Sequence, residues 1–384
     1  MQIDKRISKI LRNVSYGERS RKAFMPANSS VIRLNSGDPS FTTPMHIRQA
    51  AFKAMNEGYT HYCAGLGDEQ LRESICVSLE QDYGLKKLPN EILITNGAAE
   101  AITLVALSFL DTGEEAVIFD PSYSLYLVGI QAAGANPIPV PLSETFHYSE
   151  EELITRITPK TRLLFLCNPN NPTATCFSRE DLESIAKIAN EHKILVVSDE
   201  IYPKYVFDDR KHVCASSIEG LKDRVILINS FSKTYAMTGW RIGFIAASPE
   251  IIKALLPLHR ALVGSVNTIS QKAALAALQG PQDCVQNMLD EYEQRRRMIY
   301  SLVNEIDGLK CQMPEGAFYV FCHYEAEFNA EEMTKYLAEN GVAVRSGTEF
   351  GKRGEKYIRI AFAASLETIE RGMEKIAHAL KLLE

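Results

Sequence analysis

The sequence lacks several features that mark specialised classes of protein. Basic residues are not in excess: 42 lysines and arginines stand against 48 aspartates and glutamates, a formal net charge of -6. This balance argues against a general affinity for nucleic acid or for anionic membranes. No apolar run is long enough for a membrane span, and residues 1–20 hold no apolar stretch of signal-peptide length. We therefore expect a cytoplasmic protein.

Cysteine pairs with metal-binding or redox spacing are also absent. None of the eight cysteines forms a CxxC pair, so we expect reduced thiols and neither a disulfide framework nor a metal site. The cysteines are Cys63, Cys76, Cys167, Cys176, Cys214, Cys284, Cys311 and Cys322.

Short apolar runs rich in β-branched residues recur between longer helical patterns. Seven such runs predict strands that alternate with helices, which is typical of an α/β domain with a mostly parallel sheet between helices. The runs cover residues 92–95, 116–120, 137–140, 163–167, 194–198, 225–229 and 242–246. Residues 98–110 predict a buried helix. Ser178 with Asp181, and Ser149 with Glu152, resemble capping boxes of two further helices.

The pattern changes after about residue 270. A charged amphipathic helix over residues 288–306 is followed by short strands around residues 317–321 and 357–362, then by a helix from Leu366. With 384 residues, the chain exceeds the usual size of one core. We expect a large domain over residues 45–275 and a smaller α+β domain formed by residues 1–44 and 276–384.

The predicted strands are followed by unusual polar segments, and ligands of open α/β sheets bind beyond the carboxyl ends of strands. The first strand is followed by NGAA (residues 96–99), which opens a helix where backbone N–H groups can approach an anion. After the fourth comes NPNNPT (residues 168–173), where proline holds both preceding asparagines in extended backbone. Tight turns are the structural alternative for both segments.

Two further strand ends carry charged residues. Asp199 ends an apolar strand, so its carboxylate would be buried and would need a cation or strong donors, unless it caps the following segment. The stretch INSFSKTYAMTGWRIGF (residues 228–244) places Lys233 between an apolar strand and an apolar turn, where desolvation would lower its pKa and expose a nucleophilic lone pair. A solvated surface lysine is the alternative. Ser230, Ser232 and Arg241 offer donors for a phosphate dianion.

Taken together, these strand ends describe a site for pyridoxal phosphate. Its protein partners are a Schiff-base lysine, phosphate donors and an acidic partner for the pyridinium nitrogen. The chain here resembles the class I/II aminotransferases of the aspartate aminotransferase superfamily, which have the fold-type I architecture of pyridoxal-phosphate enzymes. The resemblance covers roughly residues 30 to 365 and is carried by SFSKTYAMTGWRIG, NPNNPT, SDEIY and YIRIAFA.

The resemblance implies a role for each cofactor-binding residue. Lys233 would form the Schiff base and later move the proton of the substrate Cα, and Asp199 would keep the pyridine nitrogen protonated. Tyr202 and Asn171 would hydrogen-bond the phenolic oxygen of the cofactor, and Tyr123 would stack on its ring. The phosphate would be bound by Gly97, Ala98, Ala99, Ser230, Ser232 and Arg241.

Substrate and partner contacts follow from the same resemblance. Arg359 would bind the α-carboxylate bidentately, with Gly37 and Asn171 adding contacts; alone, Arg359 would be read as a surface charge on a strand. Tyr62 matches the tyrosine that reaches the phosphate from the partner subunit, which implies a homodimer with interfacial active sites.

Four positions depart from the family pattern or bear on specificity. Ala174 replaces a usual glycine, so its turn must avoid positive φ or bear strain. Ser346 replaces a usual proline near the substrate entrance, next to Arg345, which could supply a distal cation or lie on the surface. Ala99 stands where some dicarboxylate-specific relatives have lysine, which argues against aspartate specificity.

The leading hypothesis is therefore an aminotransferase that moves an amino group between an L-amino acid and a 2-oxo acid by a ping-pong mechanism. A pyridoxal-phosphate lyase, decarboxylase or oxidase of the same fold is the alternative. A non-enzymatic binding module is disfavoured because Lys233, Asp199, Tyr202, Arg241 and Arg359 are all present.

Overall fold

The structure is a computed structural model that describes residues 30–383 together with Ser8, Ile10 and Val14. Most of the N-terminal segment assigned to the small domain, and the stretch searched for a signal peptide, therefore lie outside the described residues. Within the described part of the chain, no helix is long and apolar enough to cross a bilayer.

The strands and helices form a layered α/β arrangement. The strands are β1 (Ile32–Arg33), β2 (Ile92–Thr95), β3 (Glu115–Asp120), β4 (Asn136–Pro141), β5 (Thr161–Cys167), β6 (Leu195–Asp199), β7 (Val225–Ser230), β8 (Gly243–Ala246), β9 (Leu309–Lys310), β10 (Tyr319–Tyr324), β11 (Val342–Ala343), β12 (Arg345–Ser346) and β13 (Tyr357–Ala361). The helices are α1 (Met45–Asn56), α2 (Glu69–Tyr83), α3 (Ala98–Phe109), α4 (Leu125–Ala132), α5 (Glu150–Arg156), α6 (Arg179–His192), α7 (Phe231–Thr234), α8 (Pro249–Leu262), α9 (Thr268–Gln279), α10 (Asp283–Asn304), α11 (Ala330–Glu339) and α12 (Leu366–Lys381).

The seven predicted strands form one sheet with the order β2-β8-β7-β6-β5-β3-β4. β8 runs antiparallel to β2 and β7, and the other neighbours are parallel. The predicted seven-stranded, mostly parallel sheet is thus confirmed. Each predicted strand lies within two residues of the observed bounds, because the apolar runs that identified the strands are also the buried segments of the sheet.

Helices cover both faces of this sheet, as side-chain alternation along β5 shows. Leu163, Phe165 and Cys167 pack with residues of α3, whereas Leu164 and Leu166 pack with residues of α6. Because successive side chains of a strand point to opposite faces, the apolar run of residues 163–167 in β5 requires a cover on each side. At the start of α6, Ser178 and Asp181 form the predicted capping box. Ser149 Oγ accepts from Glu152 N at 3.4 Å, which is one half of the other predicted box.

A second core lies around a four-stranded antiparallel sheet with the order β12-β13-β10-β9. Leu34, Ile299, Phe318 and Ile376 belong to one buried cluster there, so the segment after β1, α10, the start of β10 and α12 share an interior. β1 pairs in parallel with β11. The division into a large and a small domain, with boundaries at residues 44/45 and 275/276, stays a prediction.

Candidate active site

One edge of the large sheet gathers most of the predicted site residues. β2, β5, β6 and β7 all end at this edge, and β8 begins there, since β8 is antiparallel to both of its neighbours. Gly243 pairs with Thr95 on one side and with Ser230 on the other. This register brings the start of α3, the end of β7 and Arg241 together.

Lys233 lies on α7, the short helix that follows β7 directly. The Ser230 side chain caps this helix by accepting from Ser232 N at 3.1 Å. The Lys233 ammonium donates to the carbonyl oxygen of Gly37 at 2.7 Å. Burial lowers the pKa of Lys233 to about 8; Asp38 opposes this shift, and the cations Arg359 and Arg241 add to it. A substantial fraction of this amine is therefore neutral near physiological pH.

Asp199 ends β6 and is almost completely buried. Its Oδ2 accepts a hydrogen bond from the Tyr126 hydroxyl at 2.7 Å. Its Oδ1 is also buried and has no hydrogen-bond partner among the described residues. Burial raises the pKa of Asp199 to about 7. A buried carboxylate with one satisfied oxygen and one open oxygen suits a protonated ring nitrogen, which would pair with the charge and occupy the open position.

An anion cradle surrounds the start of α3. Gly97 is the N-cap of this helix with φ +79, and a Cβ at this position would lie 2.6 Å from Nη2 of Arg241. The Ser230 and Ser232 hydroxyls lie 2.8 Å apart, and both residues are buried. Arg241 has φ +51 and donates from Nη1 to the carbonyl oxygen of Thr238 at 3.0 Å. Small residues at a helix start, two hydroxyls and a guanidinium fit a phosphate dianion.

Arg359 lies in the middle of β13 and is buried. Its Nη1 donates to Oδ1 of Asn171 at 2.9 Å, and its Nη2 donates to the carbonyl oxygen of Asn35 at 2.8 Å. Its Cζ lies 4.2 Å from the ring centre of Tyr319 and 4.9 Å from that of Phe350. The structure therefore holds the planar guanidinium in a fixed orientation, as bidentate binding of a carboxylate requires.

The remaining predicted residues divide into those at the site and one outside it. Tyr202 is buried, with its hydroxyl 2.9 Å from that of Tyr319. Tyr123 packs edge-on against Tyr126, the partner of Asp199. Gly37 contributes its carbonyl oxygen to Lys233, while Ala98 and Ala99 form the first turn of α3. Tyr62 is 93% exposed and the structure does not bring it to the other residues.

Ala174, Ser346 and the neighbouring Arg345 each make defined contacts. Ala174 has φ +61 in a fully buried turn, so of the two predicted alternatives the left-handed, strained one is observed. Its carbonyl oxygen accepts from Glu315 N and Gly316 N at 2.9 Å each, contacts that hold this conformation. Arg345 is partly buried and pairs with Glu349 at 2.8 Å, so it is neither a surface charge nor an unpaired cation. The Ser346 hydroxyl lies 2.6 Å from that of Thr348.

Sequence reasoning missed three groups that the structure places at the site: the Tyr126 hydroxyl, the Tyr319 ring and the Asn35 carbonyl oxygen. Tyr126 lies in the first turn of α4 and Tyr123 lies before that helix, so no helical spacing in the sequence connects the two. Tyr319 precedes an apolar run, and nothing in its sequence context separates it from other core tyrosines. A backbone carbonyl has no signature in sequence at all.

Comparisons with known proteins decide the family. The sequence profile of the family "Aminotransferase class I and II" matches residues 29–376. The chain belongs to this family. It is 38% identical over 359 residues to the probable aspartate aminotransferase of Methanocaldococcus jannaschii, covering 92% of this chain and 94% of that protein. It is 36% identical to aromatic-amino-acid aminotransferase 2 of Thermococcus litoralis, covering 91% and 92%.

Solved structures agree with this membership. The aromatic aminotransferase of Pyrococcus horikoshii superposes with a TM-score of 0.89 at 36% identity, covering 95% of this chain and 99% of that chain. The predicted family and its fold-type I architecture are thus confirmed, and so is the prediction of an aminotransferase. The class I and II family depends on pyridoxal phosphate.

Proposed function

We propose that this chain binds pyridoxal phosphate and moves an amino group between an L-amino acid and a 2-oxo acid, in a ping-pong cycle that depends on Lys233. The observation that carries the proposal is the pair formed by a buried, partly neutral lysine and a buried carboxylate with one open oxygen, on neighbouring strand ends. A phosphate cradle beside the lysine completes the set.

Pyridoxal phosphate, when bound, supplies an aldehyde carbon that captures amino groups and a ring that accepts the electron pair of the substrate Cα. The start of α3 with Ser230, Ser232 and Arg241 would bind its phosphate. Asp199 Oδ1 would accept from its ring nitrogen, and Tyr123 would lie against its ring. Tyr202 and Asn171 would hydrogen-bond its phenolic oxygen.

Lys233 Nζ would do the proton chemistry. Its lowered pKa leaves a lone pair available, and the carbonyl of Gly37 holds the amine when it is protonated. In its neutral form the amine would take the proton from the substrate Cα, hold it on Nζ and give it back later in the cycle. Asp199, kept as a carboxylate by the ring nitrogen, would favour this proton loss by holding the ring proton in place.

Amino donor and oxo-acid acceptor share one group, the α-carboxylate, and Arg359 would bind it in both half-reactions with help from Asn171 and Gly37. The relatives named above are an aspartate enzyme and an aromatic-amino-acid enzyme, so the family spans unlike side chains. Arg345, which would be one candidate for a second carboxylate, already pairs with Glu349. We therefore propose the substrate class at the level of L-amino acids.

We also propose a cytoplasmic homodimer with interfacial sites. All eight cysteines are free thiols, as in proteins of reducing compartments. Tyr62 and apolar side chains of α1, such as Met45, Phe52 and Met55, are exposed on the single chain. Apolar exposure on that scale along one helix is typical of a surface that another chain covers.

The test follows the visible absorption of the purified holoenzyme mixed with single L-amino acids, including aspartate, phenylalanine and alanine, without an acceptor. When an amino acid is accepted as a donor, we expect the visible absorption band to disappear and one equivalent of 2-oxo acid to form per active site. Lys233→Ala should abolish the conversion, whereas Lys253→Ala, on the exposed side of α8, should not change it. Oxo acid formed by Lys233→Ala at the normal rate, or continuous release of ammonia or carbon dioxide, would contradict the proposal.

A further inference from the structure

Tyr319 lies between the two groups that the proposed function assigns to cofactor and substrate. It is the first residue of β10 and is buried. Its hydroxyl is 2.9 Å from that of Tyr202, and its ring centre is 4.2 Å from Cζ of Arg359. On the basis of the proposed function, we propose that Tyr319 is a positioning residue that orients the Tyr202 hydroxyl through its own hydroxyl and the Arg359 guanidinium through its ring.

The ring acts on the substrate side. A guanidinium over an aromatic face is attracted by the electron-rich face, and the attraction grows when water is excluded. Tyr319 is held in this place by its pairing with Ala361, two positions after Arg359 on β13. The ring therefore fixes the orientation of the Arg359 fork before a carboxylate arrives, which lowers the ordering cost of binding.

The hydroxyl acts on the cofactor side. Burial raises the pKa of both Tyr202 and Tyr319, so each keeps its proton at physiological pH. One of the two hydroxyl protons forms the hydrogen bond between Tyr202 and Tyr319. If Tyr319 donates it, the proton of Tyr202 is free to point at the phenolic oxygen of the cofactor, and the chain of two hydrogen bonds strengthens that contact.

A third contact joins this pair to the catalytic lysine. A Cβ at Gly37 would lie 2.0 Å from the Tyr319 hydroxyl, so only glycine allows the segment to pass this close to Tyr319. The carbonyl oxygen of the same Gly37 accepts from Lys233. The position of the Tyr319 hydroxyl thus also sets how near the Gly37 segment lies to the lysine.

The two roles can be separated by substitution. Tyr319→Phe removes the hydroxyl and keeps the ring, so the phenolic oxygen of the cofactor loses part of its stabilisation. We expect the pH midpoint of the visible absorption band of the holoenzyme to rise by about 0.5 to 1 unit. Tyr319→Leu also removes the ring, and we expect the affinity for propionate, a carboxylate without an amino group, to fall roughly tenfold.

The experiment titrates the holoenzyme by pH and by propionate while its spectrum is recorded. Tyr324→Phe is the matched control, since Tyr324 is a buried tyrosine of the same strand whose hydroxyl donates to the carbonyl oxygen of Phe328, away from the site. The inference requires a midpoint shift in Tyr319→Phe with propionate affinity within about twofold of wild type, and no change in Tyr324→Phe. An unchanged midpoint in Tyr319→Phe, or the same shift in Tyr324→Phe, would overturn it.

Two further observations keep the result unambiguous. Tyr202→Phe should shift the midpoint in the same direction, and the double variant should shift it no further than Tyr202→Phe alone, because both act through one hydrogen-bond chain. Additive shifts would overturn the inference even if Tyr319→Leu fails to fold. A wild-type protein that shows no cofactor band would instead contradict the proposed function itself.

Discussion

Burial shifts the pKa values of Asp199 and Lys233 in opposite directions, and both shifts favour the uncharged form. Desolvation raises the pKa of the carboxyl to about 7 and lowers the pKa of the amine to about 8, so each is shifted towards its neutral form. A protonated ring nitrogen at Asp199 would restore the carboxylate, because it would bring a positive charge to the buried oxygen Oδ1, which has no hydrogen-bond partner among the described residues. The proposed cofactor would therefore complete the electrostatics of the site.

The burial of Asp199 predicts that the stability of the cofactor-free protein depends on pH. Below pH 4 the Asp199 carboxyl is protonated whether the chain is folded or not. Between pH 4 and 7 the unfolded chain releases the proton and the folded chain keeps it, so the free energy of unfolding falls as pH rises. In Asp199→Asn an amide replaces the carboxyl, so position 199 no longer binds or releases a proton in this pH range. We expect its stability advantage over wild type to grow by about 3 kcal/mol between pH 5 and 8 in urea unfolding of the apoenzyme.

The matched control is Asp111→Asn, at an exposed loop position. Its stability difference from wild type should stay constant over the same pH range. A constant difference for Asp199→Asn as well would mean that the folded protein does not hold the Asp199 carboxyl at a raised pKa.

At the scale of elements, the ends of strands carry most of the site, and this is why the sequence predicted so much of it. Apolar runs identify strands, and polar residues directly after them must meet at one edge of a parallel sheet. Contacts between segments that are distant in the sequence could not be predicted in this way. Tyr126 donates to Asp199 across 73 positions and Tyr319 meets Tyr202 across 117, and no local pattern encodes either pairing. Ala174 shows the same limit, since its left-handed backbone is held by Glu315 and Gly316.

The start of α3 allows an element-scale prediction. Gly97→Ala would place a Cβ 2.6 Å from Arg241 Nη2 and so displace the guanidinium from the phosphate cradle. Loss of a charge-assisted hydrogen bond to the phosphate should weaken binding of pyridoxal phosphate by about tenfold or more, measured by equilibrium titration of the apoenzyme.

Gly84→Ala is the control for an alanine placed at positive φ without a steric clash. Gly84 ends α2 with φ +70 and ψ 18, and a Cβ there meets nothing within 4 Å, whereas Gly97 has φ +79 and ψ 170. Gly84→Ala should lose about 1 kcal/mol of stability. Gly97→Ala should lose more, because φ +79 with ψ 170 is a conformation that essentially only glycine adopts. Only Gly97→Ala should lose cofactor affinity, and equal affinity in the two variants would argue against a phosphate cradle at α3.

For the whole molecule, the proposed homodimer raises the question of which subunit completes which site. Tyr62 is the predicted site residue that stands apart from the rest, exposed on the chain that carries it. It follows α1, whose Met45, Phe52 and Met55 are exposed as well. A chain whose exposed tyrosine and apolar helix lie together has the properties expected of a subunit that contributes to its partner's site.

Mixed dimers test this arrangement directly. Lys233→Ala subunits should be inactive, and Tyr62→Ala subunits should bind pyridoxal phosphate weakly because the phosphate loses a donor. In a mixed dimer, the site with an intact Lys233 would receive Tyr62 from the Lys233→Ala subunit and become complete. After the two variants are unfolded and refolded together in equal amounts, activity at limiting cofactor should recover to about a quarter of the wild-type value. If Tyr62 instead served its own subunit, every mixed dimer would lack either Lys233 or Tyr62 in each site, and the mixture would be no more active than its two components measured apart.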